Sequence, residues 1–348
     1  MNSTENRCTI TEVVVYHDET KSVYVKNIKC KGHVLFFVPL KAIIQHGSSL
    51  FGNDVEEYNP SKILCQEIIK VRLQYRLTSK LHFTDISGPT WSEKDLGVRE
   101  IVETCVEALK HKFVESQFFS KPIRCKLAVI FYPSKPNYQL YGGKNRKEKQ
   151  LRYDETMMRI LLKGAAHYLY DELNCIRVVN IYSDGQPEHR KLDQTRVVER
   201  LFYEDQYGRG SIREYVEFSP DTNIIHLPSD HNRYATETEE HKHANFLQLA
   251  DLLLGGLTWS CYKGSKISKV LPHIGSTIKK PKHKKDIIAY PIRDMLDKRK
   301  RGKGFSRSGH YRTFLLTKLA FEDSEPVFTE VYTTGDSFFL DSYEIDYS

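Results

Sequence analysis

The stretch that decides the fold is residues 11–20, Thr-Glu-Val-Val-Val-Tyr-His-Asp-Glu-Thr. β-Branched and aromatic residues dominate its first six positions, which is typical of a β-strand. Because its three valines are consecutive, without polar alternation, the strand is predicted to be buried on both faces and to lie centrally in a sheet. It ends in the acidic pair Asp18-Glu19.

Two more short strands are predicted close behind it, at 22–28 and 34–40, and three strands so near one another indicate an antiparallel meander. Apolar periodicity then predicts helices at 61–77, 94–119, 153–173 and 245–259, and strands at 125–132, 176–182 and 211–228. This order predicts an α/β fold with a mixed sheet, in which three antiparallel strands are followed by helix-connected parallel strands.

The α/β domain is predicted to cover residues 10–260, because the rhythm of helices and strands stops after Cys261. Residues 261–312 are predicted to be a basic arm or linker, and 313–348 an acidic β-rich tail with a hairpin around residues 334–336. The distribution of charged residues agrees with this division into a basic arm and an acidic tail. Residues 262–312 hold 16 Lys and Arg against three acids, whereas 313–348 hold one Lys against eight acids.

A dense basic block predicts a polyanionic partner, RNA or DNA, bound through its phosphates. The residues predicted to make these contacts are Lys279, Lys280, Lys282, Lys284, Lys285, Lys298, Arg299, Lys300, Arg301 and Lys303. The acidic tail could pair with the block and mask it when nucleic acid is absent. Protein partners and the oligomeric state are not predicted.

A cytoplasmic protein without a membrane segment is expected. The first residues are polar, unlike a secretory signal, and the longest apolar run, Phe246–Trp259, is too short to span a bilayer. Seven cysteines are scattered without a Cys-x-x-Cys pair, so they are expected to be reduced thiols.

Asp251 is the most informative candidate site residue, because it is the only charged residue within Phe246–Trp259. A carboxylate on such an apolar helix is costly to bury unless a metal ion, a cation or a proton neutralises it. The alternative is a structural Asp that is hydrogen-bonded to a backbone group or to Gln248. Asp18 and Glu19 face opposite ways on a strand, so only one of them is expected in a given site.

Three further residues are weaker candidates. His82 and Asp85 are three positions apart, which would place them side by side on a helical turn, although a capping role for Asp85 is the alternative. Asp184 follows the predicted strand 176–182 and precedes a glycine, which is also a common turn sequence. Four later histidines are spaced too loosely to predict a metal site: His226, His231, His241 and His243.

In order, the sequence holds an Asp-Glu-Thr strand end (18–20), a His-x-x-Asp segment (82–85), a strand ending in Asp184, and a Gln-Leu-Ala-Asp helix (248–251). Together these motifs resemble a bacterial and phage family of ribonuclease-H-like proteins, catalogued as a domain of unknown function. The resemblance covers about residues 10–260. It implies a ribonuclease-H-like fold and, by analogy, a metal-dependent nuclease.

The predicted function is therefore hydrolysis of phosphodiester bonds in RNA or DNA with Mg²⁺ or Mn²⁺, since such ions prefer carboxylate oxygens. Asp18, Asp251, Asp184 and Asp85 are the predicted metal ligands. Glu19 and His82 complete the predicted catalytic set. In ribonuclease H the strand after the first helix ends in an acid, whereas the run 125–132 does not, which leaves the third ligand open.

Two alternatives stay open beside the nuclease. One is a catalytically degenerate nucleic-acid-binding protein, and the other a scaffold subunit of a phage-defence or mobile-element system. An enzyme acting on small phosphorylated molecules is disfavoured, because the sequence Gly142-Gly143-Lys144 lacks the spacing of a phosphate-binding loop.

Overall fold

The computed structural model describes residues 9–25, 28–49, 52–88, 90–110, 116–135, 137–170, 174–184, 216–227, 239–260, 284–296, 314–322 and 325–333. Most of them belong to one mixed β-sheet with helices on both faces. Among these residues, no helix is long and apolar enough to cross a membrane.

Three antiparallel strands form one half of the main sheet. Strand β1 (Thr9–Val25) pairs with β2 (Ile28–Pro39), and β2 pairs with β5 (Lys126–Pro133). The valine run lies at the centre, as the sequence predicts, and the side chains of Val13, Val14 and Val15 are buried.

The other half of the sheet is parallel to β1. Strand β6 (Asn174–Asp184) lies directly beside β1, and β7 (Val216–Phe218) and β8 (Ile224–Leu227) both pair with β6 in parallel. β1 is therefore the strand at which the antiparallel and parallel halves meet.

Two hairpins complete the strands. β3 (Ala42–Ser49) and β4 (Gly52–Tyr58) form a separate two-stranded sheet. β9 (Phe314–Glu322) and β10 (Glu325–Thr333) pair with each other, and β9 joins the main sheet in parallel beside β5. The segment predicted as an acidic tail therefore begins as two strands of the same sheet.

Helices cover the sheet in two layers. α1 (Pro60–Gln74), α2 (Glu93–Ala108), α4 (Glu239–Thr258), α5 (Lys284–Ile288) and α6 (Tyr290–Leu296) share one apolar core with side chains such as Tyr16, Val34 and Phe36. α3 (Arg146–Leu169) covers the opposite face and packs on Val15, Leu35 and Ile130. We call these the α4 face and the α3 face of the sheet.

The structure corrects two local predictions. The segment 22–28 is not a separate strand, because β1 runs on to Val25 and β2 begins at Ile28. The third strand of the meander is β5, which arrives after α1 and α2. The helix predicted over 94–119 ends at Ala108, because the carbonyl of Ala108 accepts the N–H of Cys125, where the chain returns into β5.

The expectation of seven reduced cysteines is also wrong, because Cys175, at the start of β6, takes part in a disulfide bond. Among the described residues, four buried cysteines are reduced thiols: Cys30, Cys65, Cys105 and Cys125. The hairpin predicted around residues 334–336 lies outside the described residues.

Candidate functional site

Asp18 and Asp184 come directly after the last paired residues of the parallel strands β1 and β6, a level of the sheet that we call the strand ends, although β1 itself runs on to Val25. His17 on β1 is in register with Ser183 on β6, so the two acids that follow stand at the same level of the sheet. Neighbouring strands are about 4.8 Å apart, so the backbones that carry the two carboxyl groups lie side by side. Asp18 is buried, and Asp184 is partly exposed.

Both acids face α4. Tyr16 and Tyr182, two positions before them, stack on each other with ring centroids 5.7 Å apart and belong to the core on the α4 face. Because side chains alternate along a strand, residues two positions on face the same way. Asp18 and Asp184 therefore point toward the layer that carries Asp251.

Asp251 lies on α4 and is bound to the segment that connects α1 with α2. Its Oδ2 accepts the backbone N–H of Phe83 at 3.0 Å and lies 3.4 Å from Nδ1 of His82. About a quarter of its side chain is exposed. The structural alternative named for this residue, a backbone hydrogen bond, is present, and it leaves the other carboxylate oxygen available for further contacts.

Close helix packing holds that segment in place. A Cβ atom added at Gly255 would lie 2.3 Å from Cβ of Phe83, so only glycine allows α4 to approach this closely. Gln248, one turn before Asp251, accepts the backbone N–H of Leu81 at 2.8 Å. The Gln-Leu-Ala-Asp sequence thus binds two successive parts of the same segment.

Lys80 links this segment to the strand ends. Its Nζ lies 3.7 Å from Oδ2 of Asp184, while His82, two residues on, contacts Asp251. The segment that carries Lys80 and His82 therefore contacts both Asp184 on β6 and Asp251 on α4.

Two predicted site residues lie elsewhere. Asp85 is exposed at the end of a 3-10 turn (Phe83–Asp85), and its carboxylate pairs with Lys94 at 3.2 Å instead of joining His82. Glu19 faces the α3 side, where its charge acts on Tyr132 and Asp154. The alternation along β1 separates Glu19 from Asp18, as expected for adjacent strand residues.

One residue that the sequence analysis set aside, His243, lies on the α4 face beside the strand ends. Its ring stacks on Tyr182 with centroids 3.8 Å apart, and its Nδ1 is 2.8 Å from Oη of Tyr16. The signal that could have found it is its spacing, because residues eight positions apart, such as His243 and Asp251, lie near the same face of a helix.

The basic block is described only in part. Lys284 is buried, and its Nζ donates to Asp95 Oδ2 at 2.6 Å and to the carbonyl of Ser87 at 2.9 Å. The ammonium is held inside the fold and does not lie on an exposed basic surface, where the predicted contact with nucleic acid would require it. Lys285 is half-buried above the rings of Phe83 and Trp259. The other eight predicted contacts, Lys279, Lys280, Lys282, Lys298, Arg299, Lys300, Arg301 and Lys303, lie outside the described residues.

Three of the four predicted metal ligands lie on the α4 face, Asp18 and Asp184 on adjacent strands and Asp251 on α4, where it contacts His82. The fourth, Asp85, lies apart and pairs with Lys94. Within the described ranges, no three His, Cys, Asp or Glu side chains come together as a ready metal-binding cluster. The oxygen ligands of Asp18 and Asp184 are nevertheless the type that Mg²⁺ and Mn²⁺ prefer.

Comparison of the chain with protein-family models, with curated proteins and with solved structures found no match.

Proposed function

We propose that this protein is a divalent-metal-dependent nuclease with a ribonuclease-H-like core. The observation that carries the proposal is the position of Asp18 and Asp184 directly after the last paired residues of the parallel strands β1 and β6, facing the helix that bears Asp251. Ligands of α/β sheets characteristically bind at such strand ends, where the strand order reverses.

The strand order supports the fold assignment. The sequence left a third acid open because the run 125–132 ends without one. That run is β5, an antiparallel partner of β2. The strand that follows a helix and lies parallel to β1 is β6, and it ends in Asp184. Asp184 is therefore the counterpart of the acid that was expected at the end of a strand parallel to β1.

Asp18, Asp184 and Asp251 are the residues that would hold Mg²⁺ or Mn²⁺. A bound ion would activate water and neutralise charge on the phosphate and the leaving oxygen. His82, which contacts Asp251, would orient that carboxylate. Asp85 and Glu19 have no role in this proposal, because their side chains point elsewhere.

A nucleic acid is the proposed substrate because Lys285, one residue of the basic block, lies beside this site. Lys285 lies over Phe83, and its Nζ is 3.4 Å from the carbonyl of Thr84, next to the segment that carries His82. The other residues of the block, before and after Lys285 in the sequence, would add phosphate contacts without base preference. A cytoplasmic location remains part of the proposal.

The test is cleavage of labelled single- and double-stranded RNA and DNA with Mg²⁺ or Mn²⁺. The unsubstituted protein is compared with Asp18→Asn, Asp184→Asn and Asp251→Asn. Asp221→Asn, an exposed acid between β7 and β8, is the matched control. Metal-dependent cleavage lost in the first three variants and kept in the control would support the proposal. Cleavage that survives all three substitutions would refute it.

A binding protein without catalysis is the second candidate. It is favoured by one observation, that Asp184 and Asp251 already have partners within the fold, Lys80 and the N–H of Phe83. In that case nucleic acid would bind without being cut, and Mn²⁺ would not raise the melting temperature, whereas a metal that binds the native state stabilises it. A scaffold role in a defence or mobile-element system is a form of this second candidate.

A further inference from the structure

A continuous line of buried polar side chains crosses the α3 face of the sheet, opposite to the candidate site. It begins at Ser183 on β6 and passes through His17 on β1 and His33 on β2 to Tyr132 on β5. Tyr132 then contacts Asp154 on α3. The first four side chains are 0 % exposed. We call these five residues the buried relay.

Every link of the buried relay is a hydrogen bond. Oγ of Ser183 is 3.0 Å from Nδ1 of His17, and Nε2 of His17 is 2.9 Å from Nδ1 of His33. Nε2 of His33 is 2.7 Å from Oη of Tyr132, which donates to Oδ1 of Asp154 at 3.1 Å. Both nitrogens of each ring are therefore used, and the protons of the relay depend on one another.

The carboxylate of Asp154 determines which atom donates and which accepts in each hydrogen bond of the buried relay. Asp154 accepts from Lys31 at 2.9 Å and from Gln150 at 3.1 Å, as an ionised carboxylate does. Tyr132 then donates to Asp154, so its oxygen accepts from Nε2–H of His33. A neutral imidazole has one donor and one acceptor, and burial disfavours its charged form.

The same rule continues to the other end of the relay. With Nε2 of His33 donating, its Nδ1 must accept from Nε2–H of His17. Nδ1 of His17 then accepts from the hydroxyl of Ser183. All donors point toward Asp154, and each histidine carries its proton on Nε2.

Protonation of Asp154 reverses this order. The new carboxyl proton donates to Tyr132, which donates to Nε2 of His33, and both histidines then carry their proton on Nδ1. Each proton of the relay has moved one link toward Asp154, and one proton from hydronium has replaced the hydroxyl proton of Ser183, which requires the buried Ser183 end to open briefly to solvent. The net change is one proton gained, without a charged imidazole.

The relay ends one residue away from the candidate site. His17 precedes Asp18, and Ser183 precedes Asp184, so their hydrogen bond joins β1 to β6 directly before the two acids. We propose that the buried relay positions these strand ends and that protonation of Asp154 sets the direction of its hydrogen bonds. The chemical use of this positioning rests on the proposed function, whereas the relay can be tested without it.

Charged groups around Asp154 explain how its proton is controlled. Burial raises the pKa of Asp154, the ammonium of Lys31 opposes this, and the charge of Glu19 adds to it. Burial also holds the pKa of Tyr132 well above its ordinary value, so that residue keeps its hydroxyl proton. The polar and titratable groups that face the relay are Glu19 on β1, Lys31 on β2, Gln150 and Tyr153 on α3, and, by register with Ser183, His226 on β8.

The test follows the tautomeric state of the His17 and His33 imidazoles by ¹⁵N NMR as the pH is lowered. Tyr132→Phe cuts the relay between His33 and Asp154. Tyr153→Phe is the matched control, since its hydroxyl donates to the carbonyl of Pro133 outside the relay and its ring packs against Tyr132. Asp154→Asn serves as a second variant if Tyr132→Phe does not fold.

In the unsubstituted protein and in Tyr153→Phe, both rings are expected to be Nε2–H tautomers at neutral pH and to change together to Nδ1–H with one midpoint. In Tyr132→Phe or Asp154→Asn the common midpoint should be lost. Amide hydrogen exchange at Asp18 and Asp184 should become about fivefold faster, the factor that one hydrogen bond of ordinary net strength supplies.

Three results would overturn the inference: a charged imidazole at either position, separate midpoints in the unsubstituted protein, or unchanged amide exchange in the cut relay. None of these readouts requires cleavage or a metal ion. A protein that shows the coupled tautomer change but no nuclease activity would refute the proposed function and leave the relay standing.

Discussion

Nη2 of Arg72 donates to Oε1 of Gln248 across 2.7 Å, and the same oxygen accepts the backbone N–H of Leu81. Arg72 is 1 % exposed, and its other nitrogens bind Asn245 and the carbonyls of Leu77 and Ser79. One buried guanidinium thus ties α1, α4 and the segment leading to His82 into a single unit.

Gln248→Ala is therefore expected to lower the free energy of unfolding by about 1–3 kcal/mol, because it leaves buried hydrogen-bonding groups of Arg72 and Leu81 unsatisfied. Gln66→Ala, an exposed position on α1, is the control. Urea denaturation measures both variants. Equal stability of the two would show that the Gln248 contacts do not support the fold.

Lys80→Ala is expected to strengthen Mn²⁺ binding, because it removes a positive charge from Asp184. A partly exposed ion pair contributes about 0.2–1 kcal/mol, so the gain in affinity should be at most about fivefold. Lys94→Ala, whose partner is the exposed Asp85, is the control. Calorimetric titration with Mn²⁺ measures both, and weaker binding by Lys80→Ala would contradict a metal site at Asp184.

We extend the proposed function to His243 as a group that transfers protons, so His243→Ala is expected to reduce nucleic-acid cleavage about 100-fold or more. Its ring lies on the same face as Asp18 and Asp184. His241→Ala, two positions earlier on α4, is the comparison. Similar rates for the two variants would assign His243 a packing role only.

Lys284→Ala is expected to cost about 3–5 kcal/mol of stability, because it leaves the buried carboxylate of Asp95 without its cation. Lys285→Ala, at the neighbouring and more exposed position, should cost much less. Thermal and urea unfolding distinguish them. A large loss in both would point to the helix itself instead of the ion pair.

The carboxylate of Asp95 also predicts that the free energy of unfolding depends on pH. Burial raises the pKa of Asp95, but hydrogen bonds from Lys284 and Ser92 outweigh it, so the pKa is lowered. A lowered folded-state pKa contributes stability that is present above the unfolded value of about 3.9 and is lost as the pH falls through the folded value. Asp95→Asn should lack this loss when unfolding is measured between pH 5 and 2.

Local patterns predicted the elements that carry the candidate site. The valine run, the helix around Asp251 and the strand ending at Asp184 follow from composition and apolar periodicity. Pairing was harder to predict, because the third antiparallel partner of β1 and β2 comes from β5, about 90 residues beyond β2. Strand pairing depends on contacts between distant residues, which no local window contains.

The same limit explains the site residues that were missed. His243 has its partners on β1 and β6, and the roles of His17 and His33 appear only when β1, β2 and β5 lie side by side. Lys284 looked like any other lysine of a basic run, since nothing in the sequence shows that Asp95 lies beside it. Tertiary packing, and not residue type, separates these residues from their neighbours.

The place of β9 beside β5 has a consequence for self-association. β5 is an apolar strand, and β9 occupies one of its two hydrogen-bonding edges. A molecule shortened before residue 314 would present that edge unpaired, and an open apolar edge recruits strands from other copies of the chain. Removal of the acidic segment would thus generate aggregates, so charge-neutralising substitutions at its acids are the sounder way to ask whether it masks the basic block.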